Sequence, residues 1–255
     1  MVSIDLNADL GEGYGPWRMG DDAAMLQIVT SANVACGGHA GDPETMAATL
    51  QLARANGVTV GAHPGYADRA GFGRRVIPMT PDEVARMCAA QIGALMGVAA
   101  QVGVAVSYVK PHGALANLAA RDRQVADAIA GAVRRIDPHL GYLAISGTES
   151  EAAARAAGLP VHSEIFADRG YLANGQLVPR GQDGAMIHEP DAAAERLLRF
   201  LDTGLMPVIN GDPIPLAAQS VCVHGDSPGA VAMARHIRDR LTSEGVTLRS
   251  FQGRA

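Results

Sequence analysis

Lysine occurs once in this 255-residue chain, at position 110, and cysteine three times, at positions 36, 88 and 222. An odd number of cysteines without CxxC spacing suggests neither a disulfide framework nor a thiolate zinc cluster. Aromatic residues make up 4% of the chain and charged residues 18%. No apolar run approaches the length of a bilayer span. No basic region followed by an apolar segment precedes the first apparent strand, so no signal peptide is expected and the expected compartment is the cytoplasm. A net charge of −5 gives no reason to expect nucleic acid or an anionic membrane as partner. Nucleotide fingerprints are missing too: no GxGxxG follows the first strand, and neither GxxxxGKS nor GxxxxGKT occurs anywhere.

What is present is a globular composition, 48% hydrophobic and rich in alanine and glycine, which excludes disorder and suits close helix-on-sheet packing. Ser3 to Leu10 alternates polar and apolar residues and reads as a first strand with Asp5, Asn7 and Asp9 on one face. Further strands are predicted near Ser31 to Cys36, Val58 to Gly61, Val104 to Lys110, Leu140 to Ile145, Val161 to Phe166 and Ser220 to Val223. Helices are expected between them. Acidic residues open one at Asp21, Asp42 and Pro43 start one that stops at Gly57, and Thr80 with Glu83 forms a capping box. One helix should follow Lys110 and run through about Arg135, one should open at Ser146, one should span Pro190 to about Phe200, and Asp226-Ser227-Pro228 should cap the last. Strands alternating with helices imply a parallel sheet with right-handed crossovers. The expected architecture is α/β, a seven-stranded β/α barrel spanning residues 1–255 as one domain. An open doubly wound sheet is the alternative. Asn174-Gly175 between apolar flanks is a strong hairpin signal, read as an excursion over the active face at about 167–188.

Four of the eight histidines, His39, His63, His112 and His224, stand beside glycine at apparent strand ends. In barrel enzymes the loops at the carboxyl ends of the strands build the site. Asp9, Glu12, Lys110, Glu164, Asp168 and Asp226 fall at equivalent places, so a shared cleft is expected. Lys110 could act as a base, bind an anion, or merely pair with an acid. Asp9, His39 and His63 could supply a carboxylate and two imidazoles to a divalent ion, or serve proton transfer. Arg69, Arg74, Arg75 and Arg180 are candidates to clamp a carboxylate or phosphate. Cys36 and Cys222 read as small core residues, and His139, His162, His188 and His236 as structural.

Several ordered motifs carry a resemblance: Asp5-Leu6-Asn7-Ala8-Asp9-Leu10-Gly11-Glu12, Asn33 to Pro43, and Gly61-Ala62-His63-Pro64-Gly65-Tyr66. Gly71-Phe72-Gly73-Arg74-Arg75, Val109 to Leu115, Glu164 to Arg169, Leu177 to Arg180 and Cys222 to Asp226 extend it, from about residue 4 to residue 251. The chain resembles the LamB/YcsF family, which is similar in turn to the glycoside hydrolase/deacetylase superfamily of seven-stranded barrels. The resemblance implies one component of a three-part bacterial enzyme that couples ATP hydrolysis, with Mg as the usual counter-ion, to opening the lactam of 5-oxo-L-proline. Its partners would be two other subunits, B and C. The implied catalytic group is Asp9, Glu12, His39, His63, Lys110 and His112. Asn7, Arg74, Glu164, Asp168, Arg180, His224 and Asp226 would bind substrate. Two other readings stay open: a stand-alone metal-dependent deacetylase or hydrolase acting on a carbohydrate derivative, and a non-catalytic substrate-binding subunit.

Overall fold

In the computed structural model, which describes residues 2–225 and 229–252, strands and helices alternate as the pattern predicts. The chain runs through β1 (Ser3–Leu10), α1 (Asp22–Met25), β2 (Ser31–Ala35), α2 (Pro43–Ala55), β3 (Thr59–His63) and α3 (Pro81–Val102). Next come β4 (Val106–Val109), α4 (Gly113–Ala119), α5 (Arg123–Ile136), β5 (Gly141–Ile145), α6 (Glu149–Ala156) and β6 (Val161–Phe166). The last elements are α7 (Pro190–Thr203), β7 (Leu205–Met206), β8 (Ile214–Pro215), β9 (Ser220–Cys222), α8 (Ala230–Ser243) and β10 (Thr247–Leu248).

Strands β1 to β6 and β9 pair in parallel in that order, and β9 returns to pair with β1 in the register Asp5–Ser220 and Asn7–Cys222. The ladder therefore closes, which excludes the open doubly wound sheet. Strand β10 adds to β1 below the barrel, where Phe251 packs on the rings of Tyr108 and His162. Strands β7 and β8 form a separate antiparallel pair. No helix among the described residues is long and apolar enough to cross a membrane.

The local rules explain most boundaries. Asp42 accepts the Thr45 amide at 2.9 Å with Pro43 at the first helical position, and the Thr80–Glu83 capping box is formed in both directions. The single helix expected between Lys110 and Arg135 is instead two. Asp122 interrupts it by accepting the Gln124 and Val125 amides at 3.0 and 3.2 Å, a competing cap that starts α5 afresh. The helix expected from Asp21 is only the four residues of α1. The cap predicted at Asp226-Ser227-Pro228 lies outside the described residues.

The Asn174-Gly175 turn forms, with Leu172 N donating to Gln176 O at 2.8 Å and an antiparallel bridge between Tyr171 and Leu177. It does not grow into a ladder. Arginines hold the excursion instead: Arg169 donates to Val178 O at 2.6 Å and Ala185 O at 3.1 Å, and Arg196 to the carbonyls of Phe166, Ala167 and Arg169.

Strand alternation splits β1 between two layers. Leu6, Ala8 and Leu10 join the apolar layer under the helices with residues such as Met25, Leu50 and Ile237. Asp5, Asn7 and Asp9 turn into the barrel, whose interior is polar. There Asn33 donates to Asn7 at 2.7 Å, Asn7 to Ser220 at 2.7 Å, and Tyr108 to Asn33 at 2.6 Å. Gly61 makes room for this network: a Cβ there would lie 2.3 Å from the Tyr108 ring.

At the lower end Asp5 accepts hydroxyls from Thr30, Ser31 and Ser220. Burial pushes its carboxyl up to about 6, against the pull of those hydrogen bonds. The folded protein thus keeps a proton that the unfolded chain releases near its ordinary value of 3.8. This contribution to stability is full below that value and is lost as pH rises through the folded pKa. Asp5→Asn should remove the loss, so the wild-type stability relative to the variant should fall by about 3 kcal/mol between pH 3 and pH 7. Urea unfolding of both proteins at the two pH values checks this. Parallel profiles would contradict it.

Candidate active site

The loops at the carboxyl ends of the strands enclose a cavity of about 450 Å³. Its floor is a buried charge cluster. Lys110, at the end of β4, places Nζ 2.7 Å from Glu164 Oε2, 3.1 Å from Asp9 Oδ1, 3.1 Å from Asn7 Oδ1 and 3.2 Å from Cys222 Sγ. Burial alone would push Lys110 down, but Asp9 and Glu164 hold it well above the usual lysine value. Asp9 is held well below the carboxylate range despite its burial, by His63 and Lys110. Burial raises Glu164, and Lys110 opposes the rise. Cys222 is therefore more than a core residue: its thiol, kept protonated by burial, is one wall of the lysine's socket. Asn7 does not line the cavity; it sits beneath, joining Glu164, Ser220, Asn33 and Lys110.

Beside this floor stand Glu12, His39, His63 and His112, each buried. Gly11, at φ 68°, turns the chain after β1 toward Glu12. The His39 and His112 rings stack with centroids 3.6 Å apart, and His63 meets both edge-on. Gly73, at φ 62°, closes on the stack: a Cβ there would lie 2.7 Å from His39 and 2.8 Å from His112.

The hydrogen bonds assign the tautomers. His63 Nδ1 is 2.7 Å from Lys110 O, and a carbonyl only accepts, so Nδ1 carries the hydrogen. By the same argument His112 Nε2 donates to Phe72 O at 2.8 Å. The inner nitrogens, His63 Nε2 and His112 Nδ1, then face each other 3.0 Å apart, with His112 Nδ1 a lone pair. Asp9 Oδ2 lies 3.2 Å from the first and Glu12 Oε1 3.5 Å from the second. A single cation between the two rings, a proton or a metal ion, satisfies both ring nitrogens and the carboxylates beside them. His39 Nε2 donates to Glu12 Oε1 at 3.0 Å, and its Nδ1 is buried without a partner. Burial, reinforced by the neighbouring imidazoles, holds His39 well below its usual value and His112 at about 3, so both rings are neutral.

The donor set fits a divalent cation. Glu12, His39, His63 and His112 each offer an atom within 4.8 Å of all the others, and two of the imidazoles donate their outer N–H to a carbonyl, as metal-bound histidines do. This group shares His39 and His63 with the candidate set of Asp9, His39 and His63 and differs in the other members. Asp9 is drawn instead to Lys110 and Asn33, while Glu12 and His112 complete the cluster.

The cavity rim carries Arg74, Arg180 and His224, as expected. Asp168 does not line the cavity; both its oxygens take His224 Nδ1, at 2.7 and 2.8 Å, and His224 Nε2 accepts from Arg180 Nη2 at 3.0 Å. Asp226 lies outside the described residues. Arg69 and Arg75 are turned away: Arg69 lies over the Tyr14 ring at 3.9 Å and bonds Gly37 O, and Arg75 pairs with Asp68. The sequence reading missed Cys222, Arg169 and the apolar wall of Ala120, Ile145, Phe166 and Leu177. The motifs Glu164 to Arg169, Leu177 to Arg180 and Cys222 to Asp226 contain Phe166, Arg169, Leu177 and Cys222 without assigning any of the four a role.

A closed seven-stranded β/α barrel with a lysine–carboxylate floor and an imidazole–carboxylate cluster defines a small-molecule site of the barrel-enzyme kind. The chain belongs to the LamB/YcsF family, whose sequence profile matches residues 4–255. It is 52% identical over 253 residues to the 5-oxoprolinase A subunit of Mycolicibacterium paratuberculosis, covering 98% of this chain and 100% of that one. It is 49% identical over 253 residues to the protein of the same name from Rhodopseudomonas palustris, covering 99% and 100%. A crystal structure of a lactam utilization protein from Thermus thermophilus is similar throughout, with a TM-score of 0.93 and 44% identity over 98% of this chain and 100% of that one.

Proposed function

We propose that this chain is the A subunit of an ATP-dependent 5-oxoprolinase, working in the cytoplasm with partner subunits B and C to convert 5-oxo-L-proline to L-glutamate. The observation that carries this reading is the pairing, in one cavity, of a buried lysine with a cation-seeking imidazole–carboxylate cluster. The names of its relatives agree with it.

A lactam is an amide with a poor leaving group and little ring strain, so opening it needs an activated carbonyl, a positioned water and a proton for the departing nitrogen. Lys110, held charged, is the group to stabilise negative charge developing on the carbonyl oxygen. With no ion in the cluster, Asp9 and Glu12 are the carboxylates that face a water and His63 is the imidazole to pass a proton toward the ring nitrogen; an ion on Glu12, His39, His63 and His112 would occupy those atoms and leave Asp9 in that role. A divalent ion held by Glu12, His39, His63 and His112 would polarise a carbonyl or lower the pKa of a bound water. The chain has no glycine-rich phosphate loop, so ATP, with its Mg, is assigned to the partner subunits.

The converging imidazoles and carboxylate also favour a second reading, a stand-alone metal-dependent deacetylase or hydrolase acting on a carbohydrate derivative. One assay separates the two: glutamate release from 5-oxo-L-proline by the chain alone and with B and C, each with and without ATP. The complex reading expects release only from the full assembly with ATP. Release by the chain alone without ATP would favour the second reading, and no release in any arm would overturn the complex reading.

A further inference from the structure

Arg169 is 5% exposed yet borders the cavity. Its Nε and Nη2 are used on Ala185 O and Val178 O, and Nη1 makes no protein hydrogen bond among the described residues. Arg180 borders the same cavity, held from behind by the chain from Asp168 through His224. Among the described residues neither guanidinium forms an ion pair with a carboxylate; the nearby Asp168 is engaged by His224. Burial, with the charge of Arg180 close by, lowers Arg169 to about 10. Arg169 is buried and Arg180 is exposed beside it, and Asp168, the carboxylate nearby, already accepts from His224 with both oxygens, so an anion supplied by a ligand at the cavity wall would have both guanidiniums within its reach.

The surroundings say what kind of ligand. Phe166 separates this wall from the floor: its ring lies 5.5 Å from Lys110 Nζ and is stacked on His224 at 6.1 Å between centroids. Ile145, Ala120 and Leu177 continue the apolar surface around it. The cavity thus offers a cation for a polarised carbonyl at the floor, an apolar middle, and a guanidinium pair at the other side. Two planar forks match a planar two-oxygen group better than a lone point charge would. We propose that Arg169 and Arg180 form an anion subsite that takes the carboxylate of the lactam substrate, so that the chain selects ring-opening substrates bearing that group. This rests on the lactam reading above.

The test is calorimetric titration of the full chain with 5-oxo-L-proline and with 2-pyrrolidinone, the same ring without its carboxylate. Arg180→Gln should weaken 5-oxo-L-proline roughly tenfold or more while leaving 2-pyrrolidinone unchanged. Among the described residues Arg180 hydrogen-bonds His224 and the Met186 sulfur alone and is exposed, so this variant should fold. Arg169→Lys, which keeps the charge and loses the fork, should weaken the carboxylate-bearing ligand alone. If wild type binds 5-oxo-L-proline and both variants bind it equally well, or lose both ligands equally, the subsite is overturned and the lactam reading survives. If inorganic phosphate displaces 5-oxo-L-proline from wild type at comparable concentration, the wall takes a phosphoryl group instead and the carboxylate assignment fails. If wild type binds neither lactam, the lactam reading itself fails and the subsite with it.

Discussion

Lys110→Met is expected to cut ATP-dependent glutamate release by the assembled complex by roughly 10²- to 10³-fold, the loss typical of removing one donor to a developing oxyanion. The ammonium is the one lysine of the chain and touches Glu164, Asp9, Asn7 and Cys222 at once. Methionine keeps the length and removes the charge. The same change strands two carboxylates that Lys110 neutralises, and breaking a buried pair from one side costs about 3–5 kcal/mol. Adding Glu164→Gln to Lys110→Met should recover part of that stability, because a neutral amide tolerates the lost ammonium better. It should recover none of the activity. Thermal unfolding together with kcat for the two variants separates the contributions. If the double variant regained both, Lys110 would be a structural residue.

The second large effect concerns the cluster above the floor. After chelator treatment and dialysis, the wild-type chain is expected to rebind a divalent ion such as Zn²⁺ stoichiometrically. His63→Ala should weaken that binding by at least about a hundredfold, the upper range even for residues that act on ligands from behind. The reason is geometric. His63 Nε2 is the ring nitrogen that faces both His112 Nδ1 and Asp9 Oδ2. Elemental analysis and calorimetric titration check this without reference to turnover. A stripped wild-type chain that takes up no divalent ion would leave a proton as the cation that these acceptors share.

Much of this site was legible because it sits on backbone signals. Glycine-flanked histidines marked strand ends, and the alternation in Ser3 to Leu10 put Asp5, Asn7 and Asp9 on one face, where β1 closes against β9. What stayed hidden depends on partners distant in sequence. Asp9 reads as a metal ligand from its position on the strand, but Lys110 and Asn33 engage it, and only the folded barrel brings them there. Cys222 looks like any core cysteine in an apolar strand until Lys110 arrives at 3.2 Å. Arg69 and Arg75 look like rim arginines, yet Tyr14 and Asp68 hold them. Arg169 gives no periodic signal; its carbonyl partners come from a loop held by side chains rather than by a ladder. The break at Asp122 was readable in principle, since an aspartate followed by a new amphipathic run is a cap signal.

Everything proposed for the lactam requires that this chain's own cluster, and not only its partners, acts on it. The most direct measurement is glutamate release from 5-oxo-L-proline and ATP by complexes assembled with wild-type chain and with Lys110→Met or His63→Ala chain, each first shown to assemble. The expected result is ATP-dependent release from the wild-type complex and a loss of at least about a hundredfold in both variant complexes. Full release from either variant complex would contradict it.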